Sequence, residues 1–352
     1  MTKTPTLSVA MLGTTSCGKS SYLLGMYATL AAGLMNGFFL YCRERKLDLR
    51  LLAEWEDLCS SGTFPPPTRE DGAQQYPFVL NAGIDPWLNF DMLDYRGGAL
   101  LTTDDDNPDV VPMRAQLRAA DTVYAVVSCE HLTQRITAEN LERTHRSTKI
   151  AAISTQLQRE IRERRAEGKA LPSIVVLLTK ADLLRPRFQG HAEDVLFKEL
   201  VEDVRLLFPL AFQRGISAMI CPVRLGYFGS PDAQKVDAPS VAPNNLMHPI
   251  AYTLLCRLGP AVVETRRAIA EAEKALTQAE RDEQQYRNRV FSSSAKIEAH
   301  AKATRQAKAA LAALREQLEV DTHRSALLGE QIGHLPLIQD GTVLNPTTPD
   351  VP

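Results

Sequence analysis

The sequence has no uninterrupted run of about 18 apolar residues, which is the length that a membrane-spanning helix needs. Its first residues, Met1 to Pro5, lead directly into an apolar run and include no signal-peptide core. Basic and acidic side chains nearly balance, 40 against 42, so no positive excess favours nucleic acid or an anionic membrane. We therefore expect a cytoplasmic protein with neither a membrane segment nor a nucleic-acid partner.

Cysteine is scarce and scattered. The six cysteines are Cys17, Cys42, Cys59, Cys129, Cys221 and Cys256. They form no CxxC pair and have no histidine at zinc-ligand spacing, which argues against a zinc module and a disulfide framework. Two interpretations of Cys17 stay open: a small side chain that fits its loop, or an oxidisable thiol whose pKa is lowered by a helix N-terminus.

The most distinctive motif is a glycine-bounded stretch near the N-terminus. It reads Gly13, Thr14, Thr15, Ser16, Cys17, Gly18, Lys19 and Ser20, and Ser21 follows. An apolar strand-like run precedes it and a helical pattern follows, which is the context that a GxxxxGK[ST] phosphate-binding loop (P-loop) requires. We predict that residues 13–21 bind phosphates, with Lys19 at the β- and γ-phosphates and Ser20 on Mg²⁺.

A DxxG stretch follows a predicted strand at Trp87 to Leu93. Asp94 ends that strand, where its carboxylate is expected in the Mg²⁺ shell, and Gly97 is expected to donate its backbone N–H to the γ-phosphate. Asp91 is the alternative acid, but it has no glycine at the matching offset.

A proline-stiffened loop, Phe64 to Thr68, lies between the phosphate-loop helix and these strands. Thr68, ahead of Thr63, is the candidate to close over Mg²⁺ and the γ-phosphate. A plain surface connection is the alternative, because one threonine in a loop carries little information.

The tetrapeptide Thr179, Lys180, Ala181 and Asp182 follows a buried β-branched strand. The Asp182 carboxylate can accept hydrogen bonds from N1–H and the 2-amino group of guanine, whereas adenine presents neither donor there. Lys180 is expected to lie along the base with its aliphatic stem. The alternative for Asp182 is a helix cap. Arg224 and Leu225, after the last strand, are predicted to cap the guanine ring, in preference to Ser217-Ala218, which precedes that strand.

Three further stretches have patterns that predict secondary structure: two helices and one strand. A single helix is predicted from Leu132 to Glu167, and a closing helix from Ile250 to Leu258 that Gly259-Pro260 ends. The last strand, Ala218 to Val223, contains Pro222 and is therefore placed at the edge of a doubly wound sheet.

Beyond Pro260 the composition changes to Ala, Glu, Lys, Arg and Gln with seven-residue apolar repeats. We predict residues 1–259 as a phosphate-loop domain, 260–332 as an antiparallel helical hairpin or coiled coil, and 333–352 as an irregular tail. The hairpin is either a contact for a partner or a self-contained coiled coil, and the sequence favours neither.

Taken together, residues 13–20, 94–97 and 179–182 make the first two-thirds of the chain resemble a P-loop GTPase of the translation-factor and Ras-like class. The extra strand and helix before the loop at residues 62–68 look most like the bacterial double-GTPase family associated with conflict systems. The resemblance implies an α/β sheet flanked by helices, binding of GTP or GDP with Mg²⁺, and Thr68 as the switch threonine.

The chain departs from many such enzymes after the DxxG, where Gly98-Ala99-Leu100 stands in place of a water-orienting glutamine. We therefore expect a GTP-dependent switch with slow hydrolysis, in which Arg96 contributes in cis or is an ordinary surface arginine. The helical hairpin would report the nucleotide state to a protein partner, including a homodimer or a second GTPase-like protein. The alternatives are a non-hydrolysing guanine-nucleotide scaffold and, against the chemistry of Asp182, an ATPase.

Overall fold

The computed structural model describes residues 5–33, 35, 37–64, 74–94, 110–190, 192–230, 235–288 and 293–344. The chain divides into two compact units, one formed by residues 1–253 with 332–352 and the other by residues 254–331. In the described ranges, no helix combines the length and apolar character needed to cross a membrane.

The helices and strands alternate through most of the first unit. Its first half contains β1 (Thr6–Leu12), α1 (Lys19–Ala31), β2 (Phe38–Cys42), α2 (Arg45–Ser61), β3 (Gln74–Ala82), β4 (Asp85–Asp94), α3 (Val110–Ala119) and β5 (Thr122–Ser128). There follow α4 (Ala138–Thr148), α5 (Ile150–Ala166), β6 (Ser173–Thr179), α6 (Arg185–Phe188), α7 (Glu193–Leu207), β7 (Ser217–Pro222), β8 (Arg224–Gly226), β9 (Val241–Asn244), α8 (His248–Arg287), α9 (Ser294–Ile332), β10 (Leu337–Gln339) and β11 (Thr342–Leu344).

Among the described residues, the main sheet has nine strands in the order β11-β10-β7-β6-β5-β1-β4-β3-β2. The strands from β4 through β1, β5 and β6 to β7 run parallel, and antiparallel pairs flank them on both sides. Every residue of β5 and β6 is buried, as expected where helices cover both faces of a parallel sheet. The predicted α/β sheet flanked by helices is therefore confirmed.

The carboxyl ends of β1, β4, β5 and β6 lie along one edge of the sheet, because these neighbouring strands are parallel. In open α/β sheets, ligands bind beyond such an edge. This arrangement gathers loops that are distant in sequence.

The single helix predicted from 132 to 167 is wrong: the structure has α4 and α5 instead. Lys149 adopts a left-handed conformation (φ 54°) between them, which no helix interior tolerates. The Thr148 hydroxyl accepts a hydrogen bond from the Ile150 amide and so helps to begin the second helix. At the other end, Thr137 and Asn140 form a capping box that fixes the start of α4.

The prediction of an irregular tail is wrong for residues 337–344, which form β10 and β11. The strand β10 pairs antiparallel with β7, placing Ile338 opposite Ala218. Asp340 and Gly341 both have positive φ and close the hairpin, which is the conformation that two-residue hairpin turns require. The Asp340 carboxylate also accepts a hydrogen bond of 2.7 Å from the Gly215 amide. The predicted tail residues from 345 onward lie outside the described ranges.

The predicted edge position of the last parallel strand is also wrong, since β10 and β11 extend the sheet beyond β7. The proline is accommodated because β10 pairs only with residues 217–219. Pro222 lies past that paired part, where its missing N–H costs no hydrogen bond to β10.

The helix predicted to end at Gly259-Pro260 instead continues as α8, with Pro260 inside it. A proline in a helix interior costs about 3 kcal/mol. On the N-terminal side of Pro260, α8 is joined to β5 by the 3.0 Å hydrogen bond between the Thr253 hydroxyl and that of Tyr124.

The second unit is a pair of antiparallel helices. Lys308 lies 3.0 Å from Glu280 and Arg315 lies 2.8 Å from Glu273, so the partners run in opposite directions along α9 and α8. The Tyr286 and His300 rings stack at 4.1 Å near the far end. The predicted helical pair is confirmed, and residues 289–292, which connect α8 to α9 in the sequence, lie outside the described ranges.

We expect Ile338→Ala to lower the free energy of unfolding of the first unit by about 2–4 kcal/mol, because a buried side chain in β10 leaves a cavity. Ile338 is 2% exposed and packs in the core between the sheet and its helices. Urea denaturation measures the effect, with Leu344→Ala at a 45% exposed position of β11 as the control. Equal stability of the two variants would show that β10 does not belong to the folded sheet.

Candidate functional site

The loop between β1 and α1 needs glycine at both ends. Gly18 has φ 92°, in the left-handed region that a side chain disfavours. A Cβ at Gly18 would stand 3.2 Å from the Cβ of Thr179, and one at Gly13 would stand 2.7 Å from the Cys17 sulfur and 3.0 Å from the Val126 carbonyl oxygen. The backbone of residues 13–18 is therefore packed against the ends of β5 and β6.

Lys19 is 6% exposed, and its side chain turns back over this loop. The ammonium donates hydrogen bonds to the carbonyl oxygens of Gly13 at 3.1 Å and Thr14 at 2.9 Å. Gly18 is the N-terminal cap of α1, and it has no side chain that could bind the first amides of the helix. The positive end of the helix dipole therefore faces the same loop. Both features favour an anion at this place.

The Ser20 hydroxyl donates a 2.5 Å hydrogen bond to the Asp94 carboxylate, which is 1% exposed at the end of β4. A hydroxyl and a carboxylate are oxygen ligands of the kind that Mg²⁺ takes. The competing acid, Asp91, instead forms a 2.8 Å ion pair with Arg43. Over the described ranges no cluster of three or more His, Cys, Asp or Glu suited to a metal occurs, but Mg²⁺ needs only one or two protein carboxylates besides water and phosphate.

Thr179 ties the loop to the end of β6. Its hydroxyl donates to the Cys17 carbonyl oxygen at 2.5 Å and lies 3.4 Å from that of Val127. The residue is 3% exposed, so this hydrogen bond is shielded from water. The sequence motif that contains Thr179 gave no indication that this residue supports the loop backbone.

Burial raises the pKa of the Cys17 thiol, although nearby Lys19 acts in the opposite direction. A thiol that stays protonated is a poor nucleophile. Of the two interpretations of Cys17, the structure supports the small side chain that fits its loop.

Lys180 leaves β6 in a left-handed conformation, with φ 55°. Its ammonium lies 3.8 Å from the Glu130 carboxylate, whose other oxygen lies 3.2 Å from His131 Nε2. Burial lowers the pKa of His131, which keeps the ring neutral to lower pH. Glu130 belongs to none of the three sequence motifs and was not predicted. Its position just after β5, on the strand next to β6, was the available signal.

Asp182 does not cap a helix. Its Oδ2 atom accepts hydrogen bonds from the backbone amides of Phe228 at 3.0 Å and Gly229 at 3.3 Å. These two residues follow β8 and come from a part of the chain without a periodic pattern. The carboxylate therefore meets two N–H donors in the structure.

The predicted cap for the base is placed differently. Leu225 is 9% exposed and lies in β8, where a side-chain methyl is 2.4 Å from the point that a Cβ at Gly25 would occupy. It therefore packs against α1 instead of facing a ligand. The Arg224 guanidinium stacks over the exposed Tyr227 ring at 4.6 Å, and Arg185 approaches the same ring at 5.6 Å. Tyr227 directly precedes the amides that bind Asp182.

Three predicted site residues, Thr68, Arg96 and Gly97, lie outside the described residues. The predicted residues that follow or end β1, β4 and β6 lie at one edge of the sheet, whereas Arg224 and Leu225 lie in β8, and Leu225 packs against α1. A comparison with protein-family models finds no match for the chain, and a comparison with curated proteins finds none either.

We expect Thr179→Val to lower the free energy of unfolding by about 1–3 kcal/mol, because it leaves the buried Cys17 carbonyl without its donor at nearly constant side-chain volume. Thr179→Ser keeps the hydroxyl and should cost less than about 1 kcal/mol, the value of one methyl group. Denaturant unfolding compares the three proteins. Equal losses in Val and Ser variants would mean that packing, and not the hydrogen bond, holds the loop.

Proposed function

We propose that the protein is a P-loop, guanine-nucleotide-binding switch with slow intrinsic GTP hydrolysis. The observation that carries this proposal is a convergence on one loop. Asp94 binds Ser20, and Thr179 binds the Cys17 carbonyl, so the ends of β4 and β6 meet the loop after β1. Each of the three stretches has the spacing that nucleotide binding requires.

The phosphates would lie in the loop of residues 13–18. Lys19 would exchange its two carbonyl partners for phosphate oxygens, which are stronger acceptors for an ammonium. Ser20 and Asp94 would hold Mg²⁺, which neutralises charge on the β- and γ-phosphates. Thr68 and Gly97 stay predicted contacts of the γ-phosphate, since they lie outside the described residues.

The base would lie against Asp182. Its carboxylate already accepts two N–H groups, from Phe228 and Gly229, and guanine offers two N–H donors of the same chemistry. Adenine offers neither, so it gains no hydrogen bond from the Asp182 carboxylate, whereas guanine gains charge-assisted ones. Lys180, held near Glu130, would lie along the base. This chemistry disfavours the ATPase alternative.

Hydrolysis would be slow because Gly98-Ala99-Leu100 follows the DxxG and provides no glutamine to orient water. Lys19 and the loop amides would still stabilise charge on the leaving phosphate. An arginine supplied by a partner, or Arg96 in cis, accelerates such reactions by about 10³–10⁵. The scaffold alternative differs in that GTP would not be hydrolysed at all.

The α8–α9 pair is our proposed contact surface for the protein partner. That partner is either a different protein or a second copy of this chain.

Calorimetry with Mg²⁺ tests the nucleotide site. We expect GTP and GDP to bind and ATP not to compete, with Asp182→Ala weakening GTP about 30- to 150-fold, the equivalent of 2–3 kcal/mol. Lys19→Ala should weaken it at least about tenfold, because a charge-assisted contact is lost. Asp85→Ala and Lys46→Ala, both exposed, serve as controls.

Equal competition by ATP, or no nucleotide binding by the wild-type protein, would refute the guanine site. Phosphate release from the same samples separates a slow GTPase from a scaffold. A complete lack of turnover would favour the scaffold.

Asp94→Asn tests the cation site. It should weaken Mg²⁺ affinity of the GTP complex about 10- to 100-fold, the usual cost of disturbing a metal's protein partners. GTP binding in EDTA should change little. Asp91→Asn is the matched control, because Asp91 pairs with Arg43 instead. If both variants bind Mg²⁺ alike, Asp94 has no part in the cation shell.

A further inference from the structure

The segment that approaches Asp182 also contacts the start of the loop that leads to Thr68. We call residues 227–229 and 235–237, which lie between β8 and β9, the latch segment. The Val236 amide donates a 2.9 Å hydrogen bond to the Gly62 carbonyl oxygen, and Thr63 and Lys235 form an antiparallel bridge. The end of α2 is therefore paired with the latch segment through the backbone.

This pairing tolerates no side chain at Gly62. The residue ends α2 with φ 69°, and a Cβ there would stand 1.6 Å from the Val236 carbonyl oxygen. Next to it, the Phe64 ring meets the Phe228 ring edge to face at 5.5 Å. Two independent contacts thus fix the latch segment to residues 62–64.

The other end of the latch segment occupies an oxygen of Asp182. A carboxylate oxygen has two lone pairs, and Oδ2 accepts from both the Phe228 and Gly229 amides. Guanine recognition by both N1–H and the 2-amino group uses both carboxylate oxygens. One of the two amides must then give way at Oδ2.

We propose that the latch segment responds to the nucleotide: guanine displaces one of the two amides, Phe228 or Gly229, from Asp182 and loosens the contacts of the segment with residues 62–64. This inference rests on the proposed guanine site and adds its regulation. Nucleotide binding is thereby coupled to the start of the loop that carries Thr68. Because coupling is reciprocal, loosening the latch at residues 62–64 strengthens guanine binding.

Gly62→Ala is the direct test, since its methyl group forces the Gly62 and Val236 backbones apart. Gly168→Ala is the matched control: it has φ 66°, also follows a helix, and its Cβ would meet nothing within 4 Å. Calorimetry on the full chain should show GDP bound about fivefold more tightly by Gly62→Ala than by either Gly168→Ala or the wild type.

The base distinguishes the latch from a general change in affinity. Inosine diphosphate lacks the 2-amino group, so its single N1–H donor can use Oδ1 and leave both amides on Oδ2. Its affinity should be the same in all three proteins. Amide hydrogen exchange gives a second readout: GDP should speed exchange at Val236 in the wild type, and Gly62→Ala should show fast exchange there without nucleotide.

The outcomes separate the two proposals. If the wild-type protein binds no guanine nucleotide, both the proposed function and the latch are refuted. If it binds GDP but Gly62→Ala behaves as Gly168→Ala does, the latch alone is refuted. Weaker GDP binding by Gly62→Ala would overturn the latch as well, and would show that the amides position Asp182 for the base. Should Gly62→Ala not fold, Phe64→Ala removes the ring contact with Phe228 and must give the same gain in GDP affinity.

Discussion

The hydrogen bond from the Thr179 hydroxyl to the Cys17 carbonyl joins the loop after β1 to the end of β6, and the geometry of the site depends on it. The loop has glycines at both ends, so its backbone has little conformational restraint of its own. Its shape must come from neighbours. Thr179 fixes one side, and the bond between Ser20 and Asp94 fixes the start of α1 to β4. These two hydrogen bonds hold the loop over which the Lys19 ammonium lies.

Sequence reasoning predicted this edge because its determinants are local. Gly13, Gly18 and Lys19 form one short motif, Asp94 ends a strand of alternating apolar residues, and Asp182 lies just after an apolar strand. Parallel strands bring their carboxyl ends to the same edge, so separate local patterns were enough to predict neighbouring residues. The partners of Asp182 could not be predicted in this way. Phe228 and Gly229 lie in a segment without a periodic pattern. They bind Asp182 through backbone amides, which every residue except proline has, so the sequence does not identify them.

The errors in the fold share a physical cause. The short strands β10 and β11 are too brief to read as apolar runs, and they depend on pairing, β10 with β7 and β11 with β10. The Asp-Gly pair at residues 340–341 is a local signal of the hairpin turn between them. The chain breaks between α4 and α5 at Lys149, which has a left-handed backbone conformation. A lysine in the sequence gives no indication of that conformation. Pro260 inside α8 is the opposite case, because a proline that predicts the end of a helix lies in the interior of a 40-residue helix.

The latch segment responds to guanine because the backbone amides and the base are both N–H donors to the Asp182 carboxylate. A hydrogen bond to a charged acceptor contributes about 1.5–3 kcal/mol, whether the donor is a backbone amide or the N–H of a base. Replacing one by the other at Asp182 therefore changes the free energy little. Contacts of modest strength elsewhere then decide the balance between the two arrangements. The Gly62–Val236 hydrogen bond and the Phe64–Phe228 ring contact are of that strength, and both lie where the chain leads to Thr68.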